Sequence, residues 1–428
     1  MNKIFNPNKS TWTSLVKRPV YSLDSVKDVV DEIFTNVELY GDKSLIEYTK
    51  KFDNVELNNL KVSSEKINNS ENDIDKDLKE SINVAFNNIY KFHKNQVIDF
   101  NKIETTPGVL CWQEKRAIEN VGLYIPGGTA PLFSSVLMLA IPAMIAKCKN
   151  IVLCSPPDKN GELHPAILYC AKLCKVDTVI CVGGAQSVAA MSLGTETVPK
   201  VNKIFGPGNQ FVTYAKLKSI NFNTAIDMPA GPSELLVLAD KYANPSYIAS
   251  DLLSQAEHGP DSQVIFVSLS KSLINEVEKC INDQVKSLDR IDFINKSISN
   301  SKLIFFDDKT KAIDFINLYA PEHYIINVQD ESFFVDNIVS AGSVFIGNYT
   351  PESAGDYASG TNHTLPTNGN AKQYSGVNLD SFQKTITFQK ISKTGLLNIS
   401  KTVETMAQAE GLQAHKNAVS IRVKDLKS

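Results

Sequence analysis

Histidine is scarce in this chain, with six residues among 428. Four of the six lie in polar, glycine-rich or charged surroundings: His258, His323, His363 and His415. An imidazole titrates near neutral pH and also binds transition metals, so these four are the first candidates for chemistry. The other two, His93 beside an apolar helical stripe and His164 before a proline, are typical of structural positions.

Gln255 and His258 lie three residues apart, after a helix start that Asn244 and Pro245 predict. At that spacing both side chains can reach one site. A helix C-terminus, with the imidazole favourably placed against the helix dipole, explains the same residues without a ligand. Spacing alone therefore leaves both interpretations open.

Glu322 and His323 occupy a predicted loop directly before a strand that starts at Tyr324. The carboxylate can activate a water, and the imidazole can remove a proton from a hydroxyl group. Neighbouring residues in a loop often point apart, so the pair by itself is also compatible with a structural role.

The segment 351–363 follows a predicted strand and is rich in small, polar and acidic residues. Asp356 offers a hard oxygen ligand, and His363 offers a hydrogen-bonding group or a ligand. An ordinary surface loop has the same composition.

Glu410 and His415 occur near the C-terminus, where His415 falls on the helical stripe of Leu412 and Val419. A histidine on an apolar stripe is usually structural. Two imidazoles and two oxygen ligands nevertheless make a set that suits Zn²⁺: Gln255, His258, Asp356 and His415. Their wide separation in sequence does not show that they meet.

Three glycine turns follow predicted strands: Pro126-Gly127-Gly128, Gly183-Gly184 and Gly206-Pro207-Gly208. None of them completes the G-x-G-x-x-G fingerprint of dinucleotide sites, because Ala130 and Phe211 occupy required positions. Glycine turns also serve tight packing, so the motif alone leaves NAD as one possibility.

Short apolar runs and helical segments alternate from residue 121 onwards, whereas residues 22 to 94 have helical periodicity throughout. Such alternation predicts strand, crossover helix and parallel strand. The fold class is therefore α/β, with two doubly wound (Rossmann-like) parallel-sheet domains and a small helical C-terminal tail.

The predicted domains are partly entangled in sequence. An N-terminal arm covers residues 1–21, and the first Rossmann-like domain combines residues 22–124 with residues 233–375. The second covers residues 125–232. The helical tail, residues 376–428, is too short to enclose a core and is expected to contact a partner subunit.

Charge and composition exclude several classes of protein. The chain has 44 Lys and Arg against 47 Asp and Glu and no basic run, so nucleic acid is not an expected partner. Its longest apolar run is about half the roughly 20 residues that span a bilayer, and no secretory signal is recognisable. Seven scattered cysteines without a CxxC pair fit a reducing compartment, so we expect a cytoplasmic protein without a membrane partner.

Along nearly its whole length the chain resembles the histidinol dehydrogenase family. The stretches that carry the resemblance are long and ordered: VGLYIPGGTAPLFSSVLMLAIPA, VGGAQSVAA, KIFGPGNQFVT, IDMPAGPSELLVLAD, ASDLLSQAEHGPDSQV, APEHYIIN, SAGSVFIGNYTPESAGDYASGTNHTLPT and AQAEGLQAHKNAV. The first hundred residues match more loosely.

The resemblance implies a role for each candidate residue. Zn²⁺, one per subunit, would be bound by Gln255, His258, Asp356 and His415, the last from the partner subunit of a homodimer with shared active sites. Glu322 and His323 would be the catalytic pair. Substrate contacts would come from the four zinc ligands and His323, together with Ser233, His363 and Glu410. NAD contacts would come from Tyr124, Gln186 and Asn209.

The reaction that the resemblance implies is the last step of histidine biosynthesis. L-histidinol is oxidised to L-histidine through L-histidinal, a four-electron change that uses two NAD and one water. His323 would take the hydroxyl proton and Glu322 would activate the water. A zinc-dependent hydrolase and a non-catalytic protein stapled by zinc are the alternatives.

Overall fold

The computed structural model describes residues 1–19, 24–127, 131–229 and 231–428. The chain divides into two units, Met1–Asn95 with Ile118–Phe382, and Gln96–Ala117 with Gln383–Ser428. The predicted α/β class, with two parallel sheets and a helical C-terminal end, is confirmed. None of the helices that the structure describes combines the length and apolar character needed to cross a membrane.

The strands of the described residues are as follows: β1 (Asn2–Phe5), β2 (Ile103–Thr106), β3 (Val109–Ala117), β4 (Asn120–Tyr124), β5 (Asn150–Cys154), β6 (Thr178–Ile180), β7 (Lys203–Phe205), β8 (Ala225–Ile226), β9 (Glu234–Ala239), β10 (Gln263–Ser268), β11 (Lys302–Phe305), β12 (His323–Asn327), β13 (Ser343–Ile346) and β14 (Gln383–Ile391).

The α-helices of the described residues are as follows: α1 (Trp12–Leu15), α2 (Asp24–Tyr40), α3 (Asp42–Asp53), α4 (Ser64–Asn69), α5 (Lys76–Lys94), α6 (Phe133–Ala146), α7 (Pro165–Leu173), α8 (Gly184–Leu193), α9 (Gln210–Ser219), α10 (Pro245–Ala256), α11 (Lys271–Gln284), α12 (Ile291–Ser299), α13 (Lys309–Tyr319), α14 (Glu331–Asn337), α15 (Glu352–Tyr357), α16 (Lys393–Ala409) and α17 (Gln413–Lys427).

The six-stranded sheet of the first unit is parallel throughout and has the order β1-β11-β10-β9-β12-β13. Successive residues of β9 pack into different apolar clusters: Leu235 and Val237 into one, Leu236 and Leu238 into the other. Both faces are therefore covered, which is why this strand is apolar at nearly every position. The predicted N-terminal arm contributes the edge strand β1, which pairs with β11.

The five-stranded sheet of the first unit is also parallel, with the order β6-β5-β4-β7-β8. Helices α2, α3 and α5 pack against its strands and helices. Helix α2 ends at Tyr40, directly before Gly41, whose φ is +53°. The helical prediction for residues 22–94 is confirmed in α2 to α5, while residues 22 and 23 lie outside the described residues.

The grouping of residues 22–124 differs from the sequence-based one. The sequence assigned this range to the same domain as residues 233–375, whereas its helices and β4 contribute to the five-stranded sheet. Apolar periodicity predicts that a helix buries one face, but it does not say against which sheet. The exact domain boundaries stay a prediction.

The second unit consists of an antiparallel sheet, ordered β14-β3-β2, and the helices α16 and α17. The sequence predicted residues 376–428 as helical throughout, but β14 interrupts this tail and pairs along its whole length with β3. Most of β14 is exposed. Its alternation of Thr, Ile and Phe is typical of a strand with one apolar face, which the search for buried parallel strands missed.

Candidate active site

His323 is the first residue of β12, and its imidazole is almost fully buried. Its Nδ1–H donates to the main-chain carbonyl of Glu234 over 3.3 Å. The same nitrogen lies 3.6 Å from carboxylate oxygens of Glu322 and Glu352, and Nε2 lies 3.6 Å from Asp356. Burial lowers the pKa of His323, but the carboxylates of Glu352 and Glu322 outweigh burial and raise it well above its usual value.

Neighbouring residues on a strand usually point apart, but the side chains of Glu322 and His323 both lie beside Glu234. The backbone N–H of Glu234 donates to Oε2 of Glu322 over 2.8 Å, and the backbone carbonyl of Glu234 accepts from His323. One residue of β9 therefore holds both side chains. Its own carboxylate is fixed by two hydrogen bonds from Arg18, of 2.8 and 3.0 Å.

A group of possible metal ligands lies beside this pair. Donor atoms of His258, Glu352 and Asp356 all lie within 4.8 Å of one another. Gln255, in the last turn of α10, is fully buried, and within the described part of the chain neither its amide oxygen nor its amide nitrogen has a hydrogen-bond partner. An unsatisfied buried amide oxygen of this kind is what a bound cation would satisfy.

The charges of this cluster also favour a bound cation. Burial raises the pKa of Glu352 well above its usual value, and the carboxylates of Asp356 and Glu322 add to the rise against the opposing effect of His323. Burial also raises the pKa of Asp356, but contact with His323 outweighs it and the net change is downward. The buried carboxylates of Glu322 and Glu352 and the half-buried carboxylate of Asp356 thus lie around one buried imidazole. A divalent cation would balance this excess of negative charge.

The imidazole of His363 contacts the backbone of Asp356 and so lies next to this cluster. Its Nδ1 donates to the carbonyl of Asp356 over 2.9 Å, and its Nε2 lies 3.1 Å from Oγ of Ser135 on α6. Burial lowers the pKa of His363. With Ser233 and Glu322, His363 lines a cavity of about 40 Å³.

Gly206 and Pro207, which follow β7 of the five-stranded sheet, line the same cavity. The strand order reverses between β4 and β7, and the crevice at the carboxyl ends of such a pair is where doubly wound sheets bind dinucleotides. Gly206 has a φ of +126°, and a Cβ there would lie 2.1 Å from the carbonyl oxygen of Tyr124. Only glycine allows this close approach.

The three residues predicted to contact NAD each lie at or after the carboxyl end of a strand of this sheet. Tyr124 ends β4, and its hydroxyl accepts a hydrogen bond of 3.4 Å from the N–H of Gly184. Gln186 is buried in the first turn of α8, directly after Gly184. Asn209 caps α9 through hydrogen bonds to two backbone N–H groups. Glycines follow three separate strands at this edge, at positions 127, 183, 184, 206 and 208; Gly128 and Ala130 lie outside the described residues.

Glu410 and His415 belong to the second unit. Glu410 follows α16, and His415 is in the first turn of α17. Both side chains are exposed. His415 is therefore not buried against other residues of its own chain, and its role as a zinc ligand stays a prediction.

Sequence reasoning missed two parts of the site. Glu352 lay within the acidic segment but was not singled out, although it precedes Asp356 by one helical turn, a usable signal. The buried ion pair of Arg18 and Glu234 joins residues 216 positions apart, and no local spacing could reveal it.

The family model described as histidinol dehydrogenase matches residues 16–423. Histidinol dehydrogenase of Bacteroides thetaiotaomicron is 53% identical over 100% of both chains, and the chloroplastic enzyme of Arabidopsis thaliana is 51% identical over 98% of this chain and 91% of its own. The crystal structure of histidinol dehydrogenase from Elizabethkingia anophelis superposes with a TM-score of 0.98 at 52% identity, covering 100% of this chain and 99% of that chain. By sequence and by fold, the chain belongs to the histidinol dehydrogenase family.

Proposed function

We propose that this protein oxidises L-histidinol to L-histidine through L-histidinal, with two NAD, one water and one Zn²⁺ per subunit of a homodimer. The observation that carries the proposal is the cluster in which the buried Glu322 and His323 lie close to possible metal ligands. Relatives that cover the whole chain are named histidinol dehydrogenase, which supports the same activity here.

The zinc ligands proposed for each site are Gln255, His258 and Asp356, with His415 of the partner subunit. Bound there, Zn²⁺ would fix the amino alcohol through its nitrogen atoms and polarise its oxygen. The buried, unpartnered amide of Gln255 and the excess carboxylate charge support a cation at this point.

The NAD site is proposed at the carboxyl edge of the five-stranded sheet, against Tyr124, Gln186 and Asn209. NAD would supply the hydride acceptor, since zinc does not change its oxidation state. A cavity lined by both Gly206, which follows β7 at this edge, and Glu322 supports this placement.

His323 acts as the base of the first oxidation through Nε2. Its Nδ1–H is engaged by the Glu234 carbonyl, whereas Nε2 has no hydrogen-bond partner among the described residues. The carboxylate charge that raises the pKa of His323 would be offset by a divalent cation, which favours the neutral imidazole that a base requires.

Glu322 activates the water that attacks the aldehyde carbon of L-histidinal. The N–H of Glu234 fixes the orientation of its carboxylate. Ser233 and His363 line the same cavity as Glu322, which supports their proposed contact with substrate. His323 then removes the remaining hydroxyl proton as the second hydride departs.

The dimer and the compartment complete the proposal. Glu410 and His415 are exposed on helical ends of the second unit, as a group that completes another subunit's site must be. All seven cysteines are free thiols, which supports a cytoplasmic location. The net charge of −3 supports neither nucleic acid nor an anionic membrane as a partner.

A direct assay separates this function from its alternatives. Zinc-loaded protein supplied with L-histidinol and NAD should produce NADH absorbance, chelation should abolish it, and added Zn²⁺ should restore it. Full activity in protein shown to be metal-free by elemental analysis would contradict the zinc role. Hydrolysis without NADH would favour a zinc hydrolase, and zinc-dependent folding without turnover would favour a structural staple.

A further inference from the structure

Lys216 and Asp227 form a buried ion pair next to the turn that follows β7. The ammonium of Lys216, in α9, lies 2.5 Å from Oδ1 of Asp227, the residue directly after β8. The two side chains are 2% and 1% exposed, so water screens neither charge. A buried ion pair adds little net stability compared with apolar residues of similar volume, so a role other than stability has to be considered for it.

Both members of the pair bind the backbone of Gly206. The ammonium of Lys216 donates to the carbonyl of Gly206 over 2.8 Å, and the N–H of Gly206 donates to Oδ2 of Asp227, also over 2.8 Å. The N–H of Met228 donates to the other oxygen of Asp227 over 2.6 Å and so holds this carboxylate in place. The pair therefore satisfies both main-chain polar groups of one glycine.

Gly206 needs this support because of its conformation. Its φ is +126°, and its α-carbon lies so close to Tyr124 that a Cβ there would be 2.1 Å from the carbonyl oxygen of Tyr124. A glycine without fixed partners has many other conformations open to it. The ion pair selects the one in which the turn packs against the end of β4.

We propose that Lys216 and Asp227 are positioning residues for NAD, which hold the turn 206–209 in the shape that receives the dinucleotide. This inference rests on the NAD site proposed above, where Tyr124 and Asn209 are contacts. Tyr124 lies against Gly206 at the end of the neighbouring strand, and Asn209 ends the turn and caps α9. The conformation of Gly206 therefore affects how these two contacts are placed relative to each other.

The contacts of the pair predict an effect on NAD rather than on zinc. Its hydrogen bonds run to Gly206 and Met228, not to a proposed zinc ligand. Lys216 and Asp227 also line the cavity that Gly206 shares with Glu322. We therefore expect loss of the pair to weaken NAD binding and to leave zinc binding intact.

Isothermal titration calorimetry with NAD measures this effect without turnover. Lys216→Met keeps the length of the side chain but removes the ammonium, so the carbonyl of Gly206 loses its donor. Full-length, zinc-loaded variant should bind NAD at least about tenfold more weakly than wild type, because misplacing a binding group by about 1 Å costs up to about a hundredfold. The KM for NAD should rise by a similar factor, while kcat at saturating NAD and the zinc content change by less than about twofold.

Two further variants separate positioning from stability. Lys216→Met combined with Asp227→Leu replaces the pair by apolar side chains, a change that is often neutral for stability. This double variant should still bind NAD at least about tenfold more weakly, since neither polar group of Gly206 regains a side-chain partner. Lys218→Met is the matched control. Lys218 lies on the same helix and pairs with Asp31 of α2, and its loss should leave the NAD Kd within about twofold of wild type.

The outcomes distinguish this inference from the NAD site itself. If wild-type protein binds NAD and the double variant binds it as tightly, or if the double variant does not fold in denaturant titrations, the pair serves only stability and the inference fails. It also fails if Lys216→Met weakens zinc binding as much as NAD binding, since the effect is then not specific to the turn. If wild-type protein binds no NAD, the proposed NAD site fails and this inference fails with it.

Discussion

Glu322→Gln tests whether the two oxidations need different groups. Gln keeps the size of the side chain, and its amide oxygen can still accept the 2.8 Å hydrogen bond from the N–H of Glu234. Losing the charge from that hydrogen bond costs about 0.5–1.5 kcal/mol, so a step that needs only the position of the residue slows by about tenfold at most. Losing a general base costs about a hundredfold to ten thousandfold. Oxidation of L-histidinal should therefore slow about ten to a thousand times more than oxidation of L-histidinol.

Stopped-flow NADH formation measures the two steps separately, from L-histidinol in one experiment and from supplied L-histidinal in the other. Glu331→Gln, which removes an exposed carboxylate at the start of α14, is the control and should change neither rate. Equal losses in both steps would refute the assignment of water activation to Glu322 and would make it a residue that only positions His323.

Three other changes have defined outcomes. His323→Ala should lower turnover by about two to four orders of magnitude, while its zinc content stays near that of the wild type. If this variant instead loses zinc but keeps normal turnover, His323 is not the general base. The variants His323→Ala and His415→Ala, unfolded and refolded together as an equal mixture, should regain roughly a quarter of wild-type activity. About half of the dimers are then mixed, and each mixed dimer has one intact active site. Mixed dimers that stay inactive would contradict the shared site. Arg18→Met leaves Glu234 buried without its partner and should lower the free energy of unfolding by about 3–5 kcal/mol in denaturant titrations, whereas a loss below about 1 kcal/mol would show that the pair does not stabilise the fold.

The buried strands could be predicted because both of their faces are covered. Apolar runs at residues 235–239, 264–267 and 324–328 correspond to β9, β10 and β12 within one or two residues. Strands β3 and β14 could not be found in this way. They pair with each other across more than 250 residues, leave most of β14 exposed, and have only the weak alternation of a half-buried surface.

The candidate site shows the same limit. Motif resemblance identified Glu322, His323 and Asp356, and the structure places these three side chains together. It did not indicate that a single residue, Glu234, holds both members of the catalytic pair through its backbone. Backbone contacts of this kind depend on which strands are neighbours in the sheet, and the spacing of residues along the sequence does not determine strand order.

The stoichiometry of NADH formation tests the proposed function most directly. Anaerobic incubation of zinc-loaded protein with limiting L-histidinol and excess NAD should yield two NADH for each L-histidinol consumed, with L-histidine as the product, because an alcohol is carried to the acid level in a four-electron change. One NADH per L-histidinol with L-histidinal as the final product, or no NADH at all, would contradict it.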